Sequence, residues 1–116
     1  MNPIQEMAQA MLAALRTVPG VEVTDDLGAN LDPPSLVLSP PVLTWEGMCA
    51  SPSARFTVYV IVRADERAAE RLWDLTLAVA AAAETVPNAT VNQADPGSFL
   101  SGGDLPCYEI QIDVSP

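Results

Sequence analysis

Apolar side chains recur along this chain with two periods, and the switches between them divide it into elements. Ile4, Met7, Met11, Leu15 and Val18 share one face of a helix. Asn2 offers a cap ahead of that face, Pro3 is preset for the first turn, and Pro19-Gly20 ends the helix. Residues 21–24 alternate briefly, as a short strand does, and the acidic, turn-rich residues 25–34 read as a loop. Residues 35–38 form a short apolar strand. Ser39-Pro40-Pro41 interrupts it, and residues 42–45 resume it beyond a bulge or bend, because proline has no N–H to give a central ladder. A connecting loop over 47–54 carries Met48 and Cys49.

The strongest strand pattern is 55–63. Phe56, Val58, Val60 and Val62 point one way; Arg55, Thr57, Tyr59, Ile61 and Arg63 point the other. The helical period then returns. Asp65 is placed to cap a second helix with Glu66 in its first turn, and Ala68, Leu72, Leu75, Val79, Ala82, Ala83 and Val86 form its core stripe before Pro87 stops it. Residues 88–94 read as a strand, 95–104 as a mobile glycine-rich loop, and 105–114 as a closing strand with Tyr108, Ile110, Ile112 and Val114 alternating against Glu109, Gln111 and Asp113.

This order predicts one α+β domain over residues 1–116. Two helices pack on one face of a four- to five-stranded, mainly antiparallel sheet in the order α-β-β-β-α-β-β. No internal repeat is visible. At 116 residues, 49% of them apolar, the chain can bury a core without staples.

Charge narrows the partners. Fifteen Asp and Glu face five basic residues, all arginine (16, 55, 63, 67 and 71), for a net charge of −10. Such a surface repels phosphate backbones and anionic lipid, so sequence-specific nucleic-acid binding and membrane binding are not expected. No apolar run is long enough to span a bilayer. Residues 1–6 lack the positive and apolar character of an export signal, so Cys49 and Cys107 are expected as reduced, buried thiols.

Catalytic chemistry finds little foothold. There is no histidine, which removes the commonest general base and imidazole ligand. Two cysteines 58 positions apart offer no zinc spacing, and the 97–103 segment lacks the lysine and the following helix of a phosphate-binding loop. Asp25, Asp26 and Asp32 miss the spacing of a calcium loop. Glu66, Glu70 and Asp74 sit beside Arg67 and Arg71, and the Arg67–Glu70 and Arg71–Asp74 spacings suit local ion pairs on a solvated face. No catalytic, metal or cofactor site is therefore expected, and no enzymatic activity.

Some apolar residues exceed what one core needs. Trp73, Leu77, Ala80 and Ala81 lie well round from the Leu72–Val79 face of the second helix; they form either the edge of a broad core or a contact strip for another subunit. Tyr59 and Ile61 stand on the reverse face of the main strand, under either the chain's own loops or a neighbour. Phe99-Leu100 places apolar bulk at a loop tip. Trp73, Leu77, Tyr59, Ile61, Phe99 and Leu100 are thus the candidate interface residues.

Nearly the whole chain resembles the tail-terminator proteins of long-tailed, non-contractile bacteriophages, especially those of actinobacterial hosts. The resemblance is carried by Val18-Pro19-Gly20-Val21 after the first helix and by Pro33-Pro34-Ser35-Leu36-Val37-Leu38. It continues through Phe56-Thr57-Val58-Tyr59-Val60-Ile61-Val62 running into an alanine-rich helix, and through Gly102-Gly103-Asp104-Leu105-Pro106-Cys107-Tyr108 before the last strand. It implies a homomeric, six-fold ring in the virion neck that ends the tail tube. The implied partners are further copies of the chain, the major tail tube protein and a head-completion or stopper protein, with DNA passing through an acidic lumen. Two alternatives stand beside it: another neck, tail-completion or tube protein, and a cytoplasmic α+β ligand-binding or regulatory module.

Overall fold

The computed structural model describes residues 2–26, 32–47, 51–100 and 104–116. Helix α1 spans Pro3–Leu15 and opens as its sequence requires. The Asn2 side chain accepts from the Gln5 amide at 2.8 Å, and the Gln5 side chain accepts from the Asn2 amide at 3.0 Å, closing a reciprocal cap. Strands β1 (Glu22–Thr24), β2 (Ser35–Leu38), β3 (Val42–Thr44) and β4 (Ser53–Ile61) follow. Helix α2 (Ala68–Ala83) then leads to β5 (Ala89–Leu100) and β6 (Asp104–Val114).

The α+β class and the mostly antiparallel sheet match expectation, but the sheet has six strands in place of four or five. Its order is β1-β2-β4-β6-β5, with β3 also paired to β4. Two differences account for the count. The brief alternation at 21–24 is a true strand, β1, held parallel to β2 with Val23 opposite Leu36. The segment broken by Pro40-Pro41 becomes two strands that share one neighbour: β2 pairs with β4 from Val58 to Ile61, and β3 pairs with it from Ser53 to Arg55. At the break, the Ser39 amide and hydroxyl both donate to the Thr57 carbonyl, at 3.0 and 3.1 Å.

The expected loop over 95–104 is largely strand. Beyond a register shift between Val91 and Gln93, β5 continues to Leu100, with Asp95 opposite Glu109 and Phe99 opposite Leu105. Pro96 is tolerated because β5 is an edge strand, where an amide is not needed on both sides. Since β4 pairs with β6 only as far as Cys107, the last rows of this hairpin stand past the main sheet. The molecule is accordingly long, 51 × 26 × 22 Å.

Both helices cover one face. Met11, Leu12 and Leu15 of α1 and Leu72, Val79 and Ala83 of α2 meet Leu36, Phe56, Val58, Val60, Ile110 and Ile112 in the main core. Each large apolar side chain withdrawn there contributes roughly 1.5–3 kcal/mol. Thr76 is also buried in this stripe, and its hydroxyl has no hydrogen-bond partner. Asp65 does not cap α2 directly. Its carboxylate accepts from the Arg67 amide at 2.9 Å, closing a turn, and the helix starts at Ala68 without a side-chain cap.

Candidate functional site

A helix advances about 100° per residue, so Trp73 and Leu77 share a flank of α2 turned away from the core stripe. Both are open to solvent, Trp73 56% and Leu77 71% exposed. The indole is nevertheless fixed in direction, because its Nε1 donates to the Tyr108 hydroxyl on β6 at 3.1 Å. Ala81 continues the strip, and Glu70 and Glu84 lie on the same side of the helix, all exposed. The strip is thus an apolar knob with an acidic border. Arg71 lies round the helix beside the Val18–Val21 turn that follows α1, and Arg67 shares a surface hollow with it, Asp65 and Glu66.

That flank of α2 has the opposite form. Val18, Pro19, Gly20 and Val21 after α1, Pro34, Val62, and Arg71, Asp74, Leu75 and Ala78 of α2 line a groove of about 340 Å³, mostly apolar. Gly20 sits at φ +77°, in the left-handed region that lets the chain turn away from α1. Arg71 borders the groove and is held by Asp65 at 2.5 Å and by the Arg63 carbonyl at 3.2 Å. This replaces the expected Arg71–Asp74 pair: Asp65, at the turn before the helix, reaches the guanidinium first. Nor does Arg67 pair with Glu70. Arg55 and Arg63 pair with Asp113 and Asp32, so among the described residues Arg16 and Arg67 are the arginines without an ion pair.

The other sheet face corrects one expectation. Ile61 is fully buried and cannot serve as an exposed contact; it packs with Val37 and Cys107 in a second small cluster, with Tyr59 and Leu105 against it. Tyr59 is half-buried at the border of that cluster. Burial, then the nearby Glu109 and Cys107, raise the Tyr59 phenol above its ordinary pKa. Cys107 is a buried free thiol, pushed up to about 11 by burial and by Glu109. Cys49 lies outside the described residues. Phe99 and Leu100 belong to β5 by backbone, and their side chains lie outside the described residues.

Sequence reasoning passed over Val42 and Trp45, 65% and 59% exposed around the short β3. The signal was present in the position of β3 after Pro40-Pro41, which left it room to pair on one side only. At this end Asp113 links three strands: its carboxylate accepts from Arg55 Nε at 2.8 Å and from the Asn92 amide. The Arg55 hydrogen bond, with Asn92 assisting, holds the Asp113 carboxyl below the usual carboxylate range against the effect of burial. In the acidic loop, Asp32 pairs with Arg63 at 2.6 Å, and Arg63 also donates to the Pro33 carbonyl at 3.1 Å. Among the described residues no three His, Cys, Asp or Glu side chains form a group suited to a metal ion, and no helix is long and apolar enough to cross a membrane.

The described residues thus form an α+β protein with large apolar side chains exposed at Val42, Trp45, Trp73 and Leu77. No protein-family model matches the chain. No curated protein matches it either.

Proposed function

We propose that this chain is a structural protein of a phage neck: a tail terminator whose copies form a ring, six-fold as in the family it resembles, on the head-proximal end of a tail tube. The observation that carries the reading is the Trp73–Leu77 strip, large apolar surface held in a fixed orientation outside the core. Burying an aromatic that is already oriented costs less side-chain entropy, which suits an assembly contact. The long β5–β6 hairpin offers a second surface for the tube or the stopper protein. The net charge of −10 suits a lumen through which DNA leaves without being held.

Negative-stain imaging and native mass spectrometry of the purified protein, alone and beside tail tubes, test this directly. Rings alone, or rings at tube ends, are the expected result. Monomers that ignore tubes at every concentration reject it. Replacing Trp73 with Glu should abolish ring formation while leaving the melting temperature near that of the wild type; equal losses would make Trp73 a core residue. A second reading, a small-ligand or regulatory module, draws on the apolar groove between α2 and the turn after α1. Saturable small-molecule binding by a persistent monomer would favour it.

A further inference from the structure

Three strands border the sheet, and they differ in what they offer a further strand. β5 is interrupted by the extra residue at Asn92 and by Pro96, and β1 is three residues long with Glu22 exposed. β3 carries no bulge, proline or charge. Among the described residues it pairs with β4 alone, so no strand lies along its far side. It also brings Val42 and Trp45 into solvent, large apolar side chains at an open edge. Val42, Thr44 and Glu46 line one hollow beside Arg55 and Asp113, on the sheet face away from the helices. Leu43 points the other way, against the main core, and the alternation puts Trp45 on that same helix side.

The sequence around β3 says what can approach it. Glu46 is the only charged residue between Asp32 and Arg55. Copies of a chain with net charge −10 repel one another, and this arm is where they meet against least repulsion. We infer that two copies of this chain pair through β3, antiparallel about a two-fold axis at Thr44. Thr44 then faces its own counterpart, and Trp45 of each copy lies across from Leu43 of the other, a cross-strand aromatic–aliphatic pair made twice. Glu46 of each copy falls at the opposite end of the contact from its counterpart. A contact of one patch with itself uses up both β3 edges and closes at two copies. It is separate from the Trp73–Leu77 strip, and it stands or falls independently of the ring proposed above.

The test uses the Trp73→Glu protein, in which the proposed ring contact is removed. Analytical ultracentrifugation should show a concentration-dependent dimer. Adding Trp45→Glu should weaken that dimer roughly tenfold or more, with an unchanged circular dichroism spectrum. With Cys49→Ser in the same protein, Thr44→Cys should form a disulfide-linked dimer under mild oxidation, while Glu22→Cys on the β1 edge should not. A chain that stays monomeric at every concentration overturns the contact, as does a dimer that Trp45→Glu leaves intact. Dimers that form without the Thr44→Cys cross-link overturn the pairing about Thr44. β3 amides protected from hydrogen exchange only when tail tubes are added would assign this edge to a strand of another protein and overturn the self-contact.

Discussion

Thr76 is the residue most at odds with its surroundings. It lies on the buried stripe of α2 between Leu72 and Val79, with a hydroxyl that finds no acceptor or donor. An unmet buried polar group costs about 1–3 kcal/mol. Thr76→Val should therefore raise unfolding stability by about 1 kcal/mol, read from urea midpoints at constant m-value. Cys107 supplies a second residue-level outcome. The folded chain keeps the thiol proton up to about pH 11, above the ordinary 9.0. Unfolding thus releases a proton in that window, and stability is complete below pH 9 and falls as pH climbs towards 11. The raised Tyr59 phenol acts in the same direction. Cys107→Val should flatten the alkaline limb of stability against pH; an unchanged limb would assign it elsewhere. Neither effect was legible in the sequence. Thr76 reads there as a break in an apolar run, and Cys107 as a small hydrophobe, because orphaned hydroxyls and raised thiols are products of packing.

Whole elements were easier to read where periodicity and end signals agreed. Helix α1 has both, and Asn2→Ala should cost about 1 kcal/mol through loss of its reciprocal cap, measurable by thermal unfolding. Strand β4 matched its alternation at Phe56, Val58 and Val60, whose side chains reach the core. The alternation leaves open whether the chain itself or a neighbour covers the reverse face; Ile61 is enclosed by the chain's own Val37 and Cys107. The β5–β6 hairpin failed for another reason. Asp95, Pro96 and Gly97 carry turn propensities, yet pairing with Glu109, Tyr108 and Cys107 overrides them along an edge strand. Trp73 and Leu77 were found because a helical wheel resolves a flank; the groove opposite was not, since Val18, Pro34, Val62 and Leu75 meet only in three dimensions.

At the scale of the molecule, the protein is an elongated body 51 Å long with one helical face and a hairpin that outruns the sheet. On the proposed function, joining to a tube and joining to sister copies use different parts of it. Replacing residues 98–103 with a tight turn should leave ring formation intact while reducing attachment to tail tubes in a co-sedimentation assay. Loss of both together would mean that the hairpin belongs to the ring contact.

The extra residue around Asn92 and the proline at position 96 give the outer margin of β5 a kink and a missing donor. A margin of that kind is a poor template for endless stacking of like strands. At high concentration the chain is therefore steered away from fibrils grown along this margin.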